Sequence, residues 1–99
     1  MRLKQRDVDA IKWAAGVTFG PAAVVHLYGS RLDDALRGGD IDLLIEVDPG
    51  QNGWQTACRF RERLFERIDE QKVDVVFRVR GELPSAFVGA VQDDAVALP

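Results

Sequence analysis

Three short runs rich in β-branched and aromatic residues, each closed by turn residues, constrain this chain more than anything else in it. They are Ala23 to Tyr28, Asp40 to Val47 and Lys72 to Val79. Residues of this kind suit a pleated, partly buried surface. Helical patterns alternate with them. Asp7 to Phe19 brings Val8, Ile11, Ala14, Ala15 and Val17 to one side at helical spacing. Gly20-Pro21 stops that pattern, because proline disfavours helical backbone in the residue before it. From Trp54 to Asp69 the apolar positions Trp54, Ala57, Cys58, Leu64, Phe65 and Ile68 recur at helical spacing, with arginines and glutamates between them. This predicts an amphipathic helix over one sheet face. A helical turn is expected over Arg31 to Leu36 and a short helix over Pro84 to Val91. Ala95 to Leu98 fits a frayed tail or a small edge strand. The order predicts a compact α/β or α+β domain with helices on at least one face of the sheet.

Size and charge narrow the class. Ninety-nine residues fit one domain spanning 1–99. Thirteen Lys and Arg against 16 Asp and Glu give a net charge of −3. That balance argues against a dedicated nucleic-acid binder, which carries a basic patch. A single cysteine, Cys58, excludes an internal disulfide and a cysteine zinc cluster. No apolar run approaches the roughly 18 residues of a membrane span, and Met1 to Asp9 is polar. A soluble, cytoplasmic domain is the expectation.

Three segments carry chemistry, and their order matters. In Tyr28-Gly29-Ser30-Arg31 an apolar strand runs directly into a glycine and a hydroxyl residue. Glycine lets backbone approach a ligand closely, and exposed amides at the start of a helical turn can hold a phosphate. In Asp40-Ile41-Asp42 the carboxylates share a strand face, roughly 6–7 Å apart. They repel unless a cation lies between them, and magnesium prefers such oxygen ligands shared with substrate phosphates. In Lys72-Val73-Asp74-Val75-Val76-Phe77 a carboxylate interrupts an apolar strand, where uncompensated burial is expensive. Brought to one strand neighbourhood, Asp40, Asp42 and Asp74 would suit two metal ions that position an attacking oxygen and a leaving phosphate.

Gly29-Ser30, then Asp40-x-Asp42, then Asp74 on a later strand resemble the nucleotidyltransferase superfamily of the DNA polymerase β type. The run Tyr-Gly-Ser-Arg…Gly-Asp-Ile-Asp-Leu-Leu-Ile-Glu-Val is similar, more narrowly, to the minimal nucleotidyltransferases, or MNT proteins. The resemblance covers the chain from the first helix to the third strand. It implies a polymerase β-like fold, a small mixed sheet with helices packed mainly on one face. It also implies transfer of AMP, or another nucleoside monophosphate, from ATP or another triphosphate to a hydroxyl. Gly29 and Ser30 would contact the β- and γ-phosphates, and Arg31 would support the triphosphate or its loop. Asp40 and Asp42 would hold two Mg²⁺ ions, and Asp74 would bind the catalytic metal and help activate the acceptor oxygen. Minimal members are often encoded beside a HEPN-domain ribonuclease toxin; some add AMP to a tyrosine of that toxin, and others neutralise it by binding. A HEPN toxin partner in a hetero-oligomer is therefore expected. The rival expectation is a non-catalytic antitoxin acting by contact, and a weaker one is an enzyme acting on RNA or an antibiotic.

Other residues read as structural. His26 is expected to be a hydrogen-bonded core residue, and Cys58 a packing residue without a His–Asp pair to activate it. Trp13 falls off the main apolar face of its helix and is a candidate partner contact. Trp54 reads as core or interface. Glu46 shares the face of Asp40 and Asp42 and would line the rim of their site. The arginines between Arg59 and Arg67 are interleaved with acids and read as a solvated face. An EF-hand fails, because Leu43 and Leu44 stand where that loop needs oxygen ligands and glycine.

Overall fold

The computed structural model describes residues 3–29 and 40–99. Seven elements follow one another: α1 (Gln5–Phe19), β1 (Val24–Tyr28), β2 (Ile41–Val47), α2 (Trp54–Leu64), β3 (Val73–Val79), α3 (Ala86–Val91) and β4 (Val96–Ala97). The expected helical turn at Arg31 to Leu36 lies outside the described residues. The four strands form one sheet in the order β3-β2-β1-β4. β1 is antiparallel to both β2 and β4, whereas β2 and β3 run parallel with α2 as their crossover. This is the small mixed sheet that the resemblance implies, and the undecided C-terminal segment is an edge strand.

Alternation along β2 fixes the layers. Ile41, Leu43, Ile45 and Val47 are fully buried on one face, against Val8, Ile11, Ala14 and Ala15 of α1 and Phe60 and Leu64 of α2. Phe19 closes this core, its ring 5.9 Å from Phe60 and 5.6 Å, edge-on, from Phe77. The opposite face carries Asp42, Leu44 and Glu46. There α3 covers the middle, with Val88 against Tyr28 and Leu44 and with Val76, Val91 and Ala95 around them. Ser85 starts α3 by accepting a hydrogen bond from Val88 N at 3.2 Å, which satisfies one of the amides a helix start leaves open. Helices thus pack mainly on one face. No helix among the described residues is long and apolar enough to cross a membrane.

Several expected side-chain placements need correction. α2 ends at Leu64 and not near Asp69: the chain tightens into turns in which Arg67 N and Ile68 N both bond Leu64 O. Its buried stripe is Ala57, Phe60 and Leu64, a three-then-four spacing that includes Phe60 and leaves Cys58 exposed. Trp54 stands at the first turn and is 74% exposed. Val17 is likewise exposed, one position past the face of α1 that meets the sheet. Trp13 is half-buried beneath Arg67, whose guanidinium lies 3.6 Å from its ring centroid. That cation–π contact covers one face of the ring expected to meet a partner. His26 faces α3 with its buried Nδ1 unpartnered among the described residues, so the expected hydrogen bond is absent there.

Candidate functional site

Register gathers the acidic residues. Tyr28 of β1 is the cross-strand partner of Asp42, and Asp42 is level with Asp74 of β3. Residues level with each other on adjacent strands share a face, so one row runs Tyr28, Asp42, Asp74 across the strand ends. Tyr28 is buried against α3, whereas Asp42 and Asp74 are only half-buried.

Gly29 explains how Asp42 fits beside the end of β1. It takes φ +78°, a conformation that L side chains resist. A Cβ built there would collide with Asp42 Oδ2 and lie 3.2 Å from Asp42 Cγ. The close approach the sequence predicts for this glycine is therefore to the carboxylate of a neighbouring strand. Gly29→Ala is expected to cost about 1–2 kcal/mol from left-handed backbone alone, with the collision adding to it. Displacing Asp42 by about 1 Å should lower any activity that depends on its position about 100-fold. A thermal melt and a rate measured on the same sample check both; unchanged values in both would show that Asp42 tolerates the methyl group.

The electrostatics are those of a site short of positive charge. Burial, then the negative charges of Asp74 and Asp40 and a side-chain hydrogen bond with Asp74, raise the Asp42 carboxyl above its ordinary value of 3.8, while Lys72 pulls the other way. Burial and the charges of Asp42 and Asp74 also raise the Tyr28 phenol, which keeps it protonated. Asp40 precedes β2, and its Oδ2 lies 3.3 Å from Lys72 Nζ. That contact, with the charges of Asp74 and Asp42, holds the exposed Lys72 ammonium above its usual range.

The described residues place the expected side chains unevenly. Asp42 and Asp74 are brought together, Asp40 is turned onto Lys72, and no three His, Cys, Asp or Glu side chains among the described residues are gathered closely enough to hold a metal ion. Ser30 and Arg31 lie outside the described residues. Glu46 is at the far end of β2, about 13 Å along the strand from Asp42. There Arg80 holds it, Nη2 to Oε2 at 3.5 Å, so it does not line the carboxylate row. Tyr28 as a member of the row and Lys72 as the cation beside it were missed. Their signal was in the sequence: Lys72 is two residues before Asp74, on the same parity, and Tyr28 immediately precedes Gly29. Phe87 is a third neighbour, half-exposed and edge-on to Tyr28 at 5.9 Å between centroids.

This donor set fits magnesium. That ion commonly takes one or two carboxylates and completes its shell with water and substrate phosphates. Asp42 and Asp74 provide two level carboxylates whose mutual repulsion a cation would relieve, and Asp40 is close enough to act on Asp42. One family model, described as a nucleotidyltransferase domain, matches residues 16–98. No curated protein matches the chain.

Proposed function

The chain belongs to the nucleotidyltransferase domain family, and from that premise we propose that it transfers AMP, or another nucleoside monophosphate, to a hydroxyl of a partner protein in a magnesium-dependent reaction. The level pair Asp42 and Asp74 beside Gly29 is the observation that carries this reading. In the reaction the acceptor oxygen forms a bond to the α-phosphorus, the bond to pyrophosphate breaks, and the hydroxyl proton leaves through Asp74. Magnesium would be held by Asp42 and Asp74, with Asp40 joining them from Lys72, and would supply charge stabilisation for the transferring phosphoryl group. Gly29, Ser30 and Arg31 have the phosphate role that their motif implies. The protonated Tyr28 phenol is a hydrogen-bond donor at the same row. A HEPN-domain toxin encoded nearby is the proposed acceptor, with this chain as its antitoxin.

The test combines the protein, Mg²⁺, labelled ATP and the product of the neighbouring gene. Label is expected on that protein, and chelation of the metal should abolish it. Absence of label with an authentic HEPN neighbour overturns the transfer reading. A second measurement needs no acceptor. Mg²⁺ and ATP at about 100 times their dissociation constant should stabilise the fold by about 2.7 kcal/mol, which raises the melting temperature by roughly 10 °C or more. A melt indifferent to both ligands contradicts nucleotide binding.

One observation favours the rival. Asp40 is paired with Lys72 instead of joining the other two carboxylates, as would suit an antitoxin that neutralises its partner by contact alone. Toxin neutralisation that survives Asp40→Ala combined with Asp42→Ala would select that reading.

A further inference from the structure

β3 stands at a margin of the sheet, with no strand on one side of it among the described residues. Its inner side bonds β2 through even-numbered residues, from Lys72 O to Ile41 N at 3.2 Å through to Arg80 N and Val47 O at 2.9 Å. The odd-numbered residues therefore turn their amides and carbonyls outward. Two of the outward carbonyls are already used at the ends: Val73 O accepts from Arg61 Nε at 2.8 Å and Val79 O from Glu82 N at 3.2 Å. Between them, the amides and carbonyls of Val75 and Phe77 have no partner among the described residues. Soluble proteins blunt such edges with proline, a bulge, charged side chains or a very short strand. β3 has neither proline nor bulge and is seven residues long, Val-Asp-Val-Val-Phe-Arg-Val, and its two charges, Asp74 and Arg78, are of opposite sign.

We propose that this edge pairs with β3 of a second copy of the chain, antiparallel about a two-fold axis at Val76, and that Arg78 of each copy thereby enters the carboxylate site of the other opposite Asp74. Register carries the argument. Outward groups meet outward groups only when odd residues oppose odd ones, which puts the axis on a single residue. An axis at Val75 sets Lys72 against Arg78, two like charges. An axis at Phe77 shortens the overlap and sets Arg78 against Val76. An axis at Val76 centres the overlap on the open groups of Val75 and Phe77. Val75 of one copy then exchanges both of its bonds with Phe77 of the other, and the reverse, so that the open groups satisfy each other.

Side chains agree with that register on both faces. On the core side Val73 opposes Val79 and Val75 opposes Phe77. On the site side Val76 meets itself and Asp74 opposes Arg78. These last pairs are of the non-hydrogen-bonded kind, whose side chains approach more closely. Arg78 donates to Glu82 O within its own copy through Nη1, and a guanidinium has further N–H groups for a facing carboxylate. Two sheets become one, and each row of Tyr28, Asp42 and Asp74 gains a cation from outside its own chain.

The pairing is read without nucleotide, so its failure leaves the transfer reading standing; only the name given to the site that Arg78 enters rests on that reading. Sedimentation over a concentration series should show a dimer for the wild type. Arg78→Asp opposes acid with acid at two symmetric places and should weaken the dimer at least about tenfold. Asp74→Arg should do the same, and Asp74→Arg with Arg78→Asp should restore it. Val75→Pro removes an outward amide without touching the bonds to β2 and should give a folded monomer, checked by circular dichroism. A wild type that is monomeric throughout overturns the proposal, including one whose β3 edge is protected only by the neighbouring protein. So does a dimer indifferent to Arg78→Asp, or a charge swap that fails to rescue.

Discussion

Asp42→Asn is expected to cripple nucleotidyl transfer while making the metal-free protein more stable. On the proposed reading the substitution removes a metal ligand, and stabilisation worth several kcal/mol at the transferring phosphoryl group goes with it. At about 1.4 kcal/mol per factor of ten, the rate should fall about 1000-fold. Stability moves the other way. Asp42 faces Asp74 directly, and like charges level on adjacent strands are destabilising by roughly 0.2–1 kcal/mol. The variant should therefore melt a few degrees higher without metal and lose the rise that Mg²⁺ and ATP give the wild type. The pH dependence separates this from a general surface effect. The fold raises the Asp42 carboxyl above 3.8 and so favours its protonated form. Its contribution is fully present below 3.8 and is lost as pH rises through the raised value. The gap between variant and wild type should thus be widest near neutral pH and close on acidification. A variant that retains transfer removes Asp42 from the site, and one that melts lower shows that Asp42 has a structural role outweighing repulsion.

Phe60→Ala is expected to cost about 3–5 kcal/mol, the range for truncating a fully buried aromatic. Phe60 has no exposed surface, packs against Phe19 and sits at the centre of the stripe by which α2 covers the sheet. Domains of this size have roughly 5–15 kcal/mol of stability in total, so the loss is a large share. Urea unfolding should show a lower midpoint with an unchanged slope. The effect should reach the site as well, because α2 holds the start of β3 through Arg61 and Val73 O. A loss under about 1 kcal/mol would mean that the neighbouring rings collapse into the space without penalty.

Phe60 also shows where reading by pattern falls short. Cys58 and Trp54 fit a helical stripe on paper as well as Phe60 does, and only the position of the sheet decides between them. Trp13 is similar, since Arg67 reaches it from beyond the end of α2, a contact no local spacing reveals. The strands were more legible, because alternation and β-branched content are properties of each segment alone. β4 remained undecided because two residues carry too little pattern, and its pairing with His26 and Leu27 is what makes it a strand.

The candidate site divides along the same line. Gly29, Asp40, Asp42 and Asp74 could be picked out from residue type and order, and the shared face of Asp42 with Leu44 and Glu46 from strand parity. Lys72 as the partner of Asp40, Tyr28 as the partner of Asp42, and Glu46 under Arg80 could not. By itself the sequence determined the three main strands, the two long helices and which residues are candidates for chemistry, because backbone preference and side-chain alternation act over a few neighbouring residues. The tertiary structure alone decided that Asp42 stands level with Asp74 and that β3 is left at the margin. Both depend on which distant segments pack together, and burial of α1 and α2 on one face of the sheet settles that for the whole chain at once.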